Sequence, residues 1–189
     1  MNPGAMTTGQ EILNFLIGVA FGIAIILLML RVIFGLVRAD YRNPISQTIL
    51  MLTTPPLNLL RPIIPSIGRV DTAAIVLMVV LKFLELWLRV AVLGMEADPV
   101  ILLLVAIREL LITAIWVFII ALIVEVVMSW VQAGGGGGYN PIARLAADVN
   151  RPILGPLRRM LPSTGAIDFS PMIALVGLYI LTIIVRGIF

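Results

Sequence analysis

Lys82, Glu85 and Arg89 stand at i, i+3 and i+7 in an otherwise apolar run. That spacing puts an ammonium, a carboxylate and a guanidinium on one face of a helix. Counted from Asp71, Lys82 lies roughly 16 Å along such a helix, near the middle of a bilayer. Ionisable groups at that depth turn towards protein or a wet cavity. Two chemistries suit them: mutual pairing that glues helices together, or a path for ions or protons. At an offset of 97 residues the matching positions are Tyr179, Thr182 and Arg186, so a second polar seam is expected in the same direction. Arg31 and Glu125 form another matched couple, at an offset of 94. Their opposite charges invite a pair across the two halves, although Arg31 can also snorkel to the nearby membrane face.

The offset of 97 also relates two polar stretches. "NPISQTILMLTTPPLNLLRPIIPSIGRVD" at 43–71 answers "NPIARLAADVNRPILGPLRRMLPSTGAID" at 140–168. The shared residues include Asn43, Pro44, Arg61, Pro65, Gly68 and Asp71 in the first copy. In the second they are Asn140, Pro141, Arg158, Pro162, Gly165 and Asp168. Asn followed by Pro is a helix start: an N-cap, then a residue whose missing N–H costs nothing at the first helical position. Ile45, Ile49 and Leu52, and likewise Ile142, Leu145 and Val149, then fall at helical spacing. Pro55 and Pro152 are expected to end these short helices, because the residue before a proline avoids the helical region. Gly68 and Gly165 tolerate a positive φ. Asp71 and Asp168 can cap the helices that follow, and Asp168 can instead face Arg158 or Arg159. Each stretch therefore reads either as a device that starts a helix or as one of a pair of docking surfaces.

No catalytic set can be assembled. The 189 residues include no Cys and no His, which removes thiol chemistry, Ser-His-Asp triads and the commonest zinc ligands. No metal or cofactor is expected. The glycine run at 134–138 lacks the Lys-Ser/Thr of a phosphate loop and reads as linker slack.

These residues need elements to hold them. The composition is 61% hydrophobic and 12% charged, and the mean hydropathy is +1.14. Continuous apolar runs of about 20 residues fit helices that cross a membrane, not barrel strands. The expected fold is an all-α membrane protein with four transmembrane helices, near 12–37, 72–93, 110–131 and 171–189. The segment Pro99–Ile107 is either interfacial or part of the third span. The first span reads as retained, since its N-terminal flank lacks a basic region. Two parallel-topology repeats follow, 1–93 and 94–189. Each is a span, an amphipathic loop helix (near 43–65 and 140–162) and a second span. The loops carry Arg38, Arg42, Arg61 and Arg69, then Arg144, Arg151, Arg158 and Arg159, whereas the short connection "GMEADP" has no base. The positive-inside rule puts both loops in the cytoplasm and both termini in the periplasm. The expected partners are the bilayer and membrane or cytoplasmic proteins, and a homo-oligomer if ions pass. No nucleic-acid contact is expected.

The doubled Asn-Pro-Ile…Pro…Leu…Arg…Pro-Ser-x-Gly-x-x-Asp pattern, with each copy leading into an apolar span, resembles the YggT family. So does "MSWVQAGGGGGYNPI" at Met128–Ile142, which is similar to that family's Ser-Trp-Phe element before Asn-Pro. The first copy departs there, with Gly35-Leu36 in place of Ser-Trp. The resemblance spans almost the whole chain. It implies a multi-pass protein of the bacterial inner membrane, with relatives in cyanobacteria and plastids. It also implies links to cell division and envelope organisation, to membrane-complex assembly, and to ion homeostasis under osmotic stress. From these come two expectations: a non-enzymatic scaffold or assembly factor docking through the Arg-bearing loops, or a small oligomeric channel using the polar seams.

Overall fold

Thr7 and Gln10 open the first helix by capping each other: Gln10 N–H donates to Thr7 Oγ1 (3.3 Å), and Thr7 N–H donates to Gln10 Oε1 (2.9 Å). Five more helices follow in the computed structural model, which describes residues 6–135, 138–160 and 168–188. In order they are α1 (Thr8–Val37), α2 (Pro44–Leu60), α3 (Thr72–Val92), α4 (Pro99–Ala133), α5 (Pro141–Met160) and α6 (Ser170–Ile188).

Three of them, α1, α4 and α6, are long and apolar enough to cross a membrane. The α3 helix has 21 residues, which is about 31 Å, but carries Lys82, Glu85 and Arg89. The segment from Pro99 to Ile107 is not separate: Asp98 caps a single helix of 35 residues that runs through it to Ala133. Its Asp98-Pro99 start uses the same signal as the two Asn-Pro starts, with Val100 N–H donating to Asp98 Oδ1 at 2.7 Å.

Contacts at both ends fix the packing. Gln10 Nε2 donates to the carbonyl of Val92 (2.9 Å), and Arg31 reaches Asp71, so α1 and α3 run antiparallel. The chain start and the 93–98 connection therefore share one end of the bundle, the connection end. The 38–71 segment and, among the described residues, α5 with Asp168 and Phe169 share the other, the loop end. The main core sits towards the loop end, where Leu28, Val32, Ile33 and Phe34 of α1 pack on Ala73, Ala74 and Met78 of α3, Ile49 and Leu57 of α2, and Leu145 and Val149 of α5. A smaller core joins Leu122, Leu154 and Ala174 of α4, α5 and α6. Outward-facing residues remain apolar, among them Phe15, Trp87, Ile120 and Ile183. Lipid tails suit such a surface as water does not.

The prolines do not end α2 and α5. The first helix continues through Pro55 and Pro56 to Leu60, the second through Pro152 and Pro156 to Met160. All four prolines lie on exposed faces. The opposite faces are held by Leu57 and Leu154, which are 0% and 1% exposed. Tertiary packing thus overrides the local penalty. The apolar faces expected of these helices also shift. Leu52 and Ile142 point outward, while α2 buries Ser46, Ile49, Thr53 and Leu57.

Candidate functional site

The first polar centre forms where α1, α2 and α3 meet. Asp71 caps α3 by accepting the Ala74 N–H (3.3 Å). Its other oxygen accepts from Arg31 Nε (3.1 Å) and Arg61 Nη2 (3.0 Å). Arg31 Nη1 continues to the hydroxyls of Thr53 (2.8 Å) and Thr54 (3.0 Å), and the Arg31 side chain is 8% exposed. A single carboxylate therefore serves two guanidinium groups. Burial pushes the Asp71 carboxyl upward, but the bonds from Arg61, Arg31 and the Ala74 N–H outweigh it and hold it below the usual range. The turn before it closes with Ile67 and Val70 exchanging backbone bonds around Gly68 (φ +60°), while Thr72 Oγ1 donates to the carbonyl of Pro65 (2.6 Å).

The second centre lies between α4, α5 and α6, with the signs reversed. Here one guanidinium serves two carboxylates: Arg158 Nε donates to Asp168 (2.8 Å) and Nη2 to Glu125 (3.3 Å). Glu125 also accepts from buried Asn150 (Nδ2, 2.7 Å). Burial raises the Asp168 carboxyl, but hydrogen bonds from Ser170 and Arg158 lower it further, below its ordinary value. The bond to Asp168 raises Arg158 in turn, against the opposing effect of burial.

The loops also join each other. Asn43 is fully buried; its Oδ1 caps α2 at the Ile45 N–H (3.0 Å), and its Nδ2 donates to the carbonyl of Pro141 (2.7 Å). Asp40 pairs with Arg144 (3.1 Å) and its N–H donates to Asp148 (3.2 Å), which also holds Arg151. Asn140 caps α5 through Ile142 and Ala143 (2.9 and 3.3 Å).

From the middle of α3 towards the connection end, Lys82 pairs with Glu85 (3.0 Å) and with Glu109 of α4 (2.7 Å). Glu85, whose side chain is 3% exposed, also holds Arg89 (2.6 Å). Arg89 lies against Gly18 of α1, where any Cβ would collide with its guanidinium. On the other flank of α4, Arg108, Glu109, Thr113 and Arg186 line a cavity of about 480 Å³. Glu109 is thus where the two seams approach each other.

The family model described as CCB3/YggT matches residues 10–92 and 104–189. The chain belongs to the CCB3/YggT family. An uncharacterized protein of Pseudomonas aeruginosa is 36% identical to it over 163 residues, which is 85% of this chain and 81% of the relative. The uncharacterized protein YggT of Escherichia coli K12 is 32% identical over 172 residues, 89% of this chain and 86% of its own. A Haemophilus influenzae protein is 32% identical over 159 residues, 84% and 83% of the two chains. No solved structure matches the chain.

In this YggT-family chain the expected charged residues therefore gather into three centres. The expected pair between Arg31 and Glu125 does not form, because each is consumed by its own loop: Arg31 by Asp71 and the threonines, Glu125 by Arg158 and Asn150. The second seam is only partly inward. Thr182 is buried, its hydroxyl donating to the Leu178 carbonyl (3.0 Å), but Tyr179 is 60% exposed and Arg186 is exposed beside the cavity. Pro162 and Gly165 lie outside the described residues. Among the described residues no cluster of His, Cys, Asp or Glu could hold a metal. Sequence reasoning missed Glu109, which sits one residue before the expected start of the third span. It also missed Thr53 and Asn150, which stand at the same 97-residue offset as the shared motif residues.

Proposed function

We propose that this protein is a non-enzymatic scaffold or assembly factor of the bacterial inner membrane. Four helices, α1, α3, α4 and α6, would span in two like-oriented halves, 1–93 and 94–189, with cytoplasmic loops and periplasmic termini. The mutual pairing of the α3 charges supports a membrane position for that helix, since a paired charge is far cheaper to bury than a lone one. The family's two matched stretches, of nearly equal length, support the division into halves. The arginine excess of the loops supports their side.

One observation carries the docking reading. At their C-terminal ends, α2 and α5 are clamped to the following spans by Arg61–Asp71 (3.0 Å) and Arg158–Asp168 (2.8 Å). Near their N-terminal ends they are bridged to each other through Asn43 and Asp40. The loops thus make one cross-braced platform, not two tethers. Arg61 and Arg158 brace it, so the residues left to meet a partner are exposed ones such as Arg42 and Arg159. A partner in cell division or envelope organisation would sit there.

The test is affinity purification in mild detergent with native mass measurement. Wild type should carry a stoichiometric protein partner, and Arg42→Glu with Arg159→Glu should lose it while the spans stay folded. Recovery of wild type alone, or the same partner on both, removes the reading. The cavity beside Glu109 and Arg186 favours the alternative, an oligomeric ion-flux modulator in osmotic stress. Liposomes that pass no K⁺, Na⁺ or H⁺ at any applied potential would exclude it.

A further inference from the structure

We propose that the loop end of the first half binds a phosphate-bearing anion, namely the headgroup of an anionic phospholipid. A cavity of about 360 Å³ opens there between α1, α2 and the 66–71 turn. Arg31, Arg61 and Arg69 line it, with the hydroxyls of Tyr41 and Ser66 and a single carboxylate, Asp71. Asp71 already divides one charge between Arg31 and Arg61, so that trio keeps a net positive charge. Arg69 adds another and has no ion-pair partner among the described residues. Arg31 is nine-tenths buried and fixed by Asp71, Thr53 and Thr54. The site's charge is therefore set in place before any ligand arrives. Guanidinium groups fixed in this way suit phosphate oxygens, which accept several N–H bonds at once.

Space for the ligand depends on Gly35. A Cβ there would lie 3.4 Å from the Arg69 carbonyl and 3.5 Å from the Tyr41 hydroxyl, so any longer side chain enters the cavity. The position 94 residues on is Ser129. The second half's centre has one guanidinium between two carboxylates, and the residue matching Arg69 is Ala166. Among the described residues, this net-positive arrangement belongs to the first half alone.

Two observations favour a lipid over a free anion. The cavity shares Val32 with an apolar crevice of about 360 Å³ between α1, α3 and α4, lined by residues such as Met29, Leu36, Ile75 and Phe118. Asp71 also stands at the start of a helix of membrane length, the level at which headgroup phosphates lie. Basic pockets between spans bind headgroups by this combination. The inference holds whether or not a protein docks on the platform.

The experiment uses full-length protein in mild detergent with equal, limiting amounts of phosphatidylglycerol and phosphatidylcholine, read by native mass spectrometry. Wild type should retain the anionic lipid about tenfold over the zwitterionic one, as expected for loss or gain of one charge-assisted contact. Arg69→Gln, on an exposed turn, and Gly35→Leu should each abolish the preference, whereas Arg159→Gln in the second half should leave it. Inorganic phosphate at millimolar concentration should fail to displace the lipid from wild type. Equal retention of both lipids by wild type, or an unchanged preference in Arg69→Gln and Gly35→Leu, overturns the proposal. Full displacement by inorganic phosphate overturns the lipid as the source of the anion.

Discussion

Replacing Asp71 by Asn separates charge from shape where α1, α2 and α3 meet. Asn keeps an oxygen for the Ala74 N–H, so the helix cap, worth about 1 kcal/mol, is largely preserved. What disappears is the negative charge between Arg31 and Arg61, whose side chains are 8% and 37% exposed. Arg61 can turn to water, but Arg31 cannot. Leaving one member of a buried pair uncompensated costs about 3–5 kcal/mol. The hydroxyls of Thr53 and Thr54 still accept from Arg31, so the lower end, ~3 kcal/mol, is expected. Asp168→Asn is the built-in comparison. Its pair with Arg158 has both side chains more than two-fifths exposed, and such pairs are worth less than about 1 kcal/mol. The assay is equilibrium unfolding by sodium dodecyl sulfate titrated into mild-detergent micelles, followed by helicity. pH supplies a second axis. Because the folded Asp71 carboxyl titrates below the unfolded one, its contribution is full above about pH 5 and is lost as pH falls through the folded value, below about pH 4. Wild type and Asp71→Asn should therefore converge in acid. Equal costs for the two substitutions, or a gap that persists unchanged in acid, would refute the reasoning.

Three further outcomes follow from the other centres. In the same unfolding assay Glu85→Gln should destabilise more than Glu109→Gln, because Glu85 is 3% exposed and serves both Lys82 and Arg89, whereas Glu109 is 36% exposed and, among the described residues, pairs with Lys82 alone. Gly18→Leu should push the end of Arg89 aside and loosen its pair with Glu85, a loss of about 1 kcal/mol or less. Gly22→Leu, where a Cβ meets nothing within 4 Å, should be close to neutral. Asn150→Asp should destabilise by setting a carboxylate against Glu125, while Thr53→Asp, facing Arg31, should be tolerated better; equal losses would argue against the opposite polarity of the two centres.

Much of the local structure was legible because it is written in residues that act on their neighbours. Asn43-Pro44 and Asn140-Pro141 start helices as the capping rule requires. Asp71 caps α3, and Gly68 takes the positive φ expected of it. The i, i+3 and i+4 spacings within Lys82, Glu85 and Arg89 gave their pairs directly. What failed needed knowledge of a third element. Pro55 and Pro152 carry a real helical penalty, but burial of Leu57 and Leu154 outweighs it. The Arg31–Glu125 pair was drawn from opposite charges at matched positions, without the loop helices that reach each residue first. Glu109 could be assigned to Lys82 only once α4 was seen to extend to Pro99 and so bring its first turns alongside α3.

The two loop-end centres are opposite in polarity, although the stretches 43–71 and 140–168 share residues at an offset of 97. Positions 31 and 125 carry opposite charges, and the residues that meet them change with them. Thr53 offers a hydroxyl oxygen to Arg31, whereas Asn150, 97 residues later, offers amide hydrogens to Glu125. Arg61 and Asp71 have the same identities as Arg158 and Asp168, so the invariant pair sits in one net-positive and one net-negative setting. The charges of the two trios cancel in sum. A buried ion needs a partner of matching hydrogen-bond sense as well as opposite charge. An exchange at position 31 or 125 alone would set like charges together, a carboxylate at 31 against Asp71 or a guanidinium at 125 against Arg158, whereas Thr53 and Asn150 can each donate as well as accept. Each loop helix thus meets the charge at position 31 or 125 with a polar side chain of its own. Those bonds join α2 to α1 and α5 to α4, although both loops carry the same Asn-Pro-Ile start.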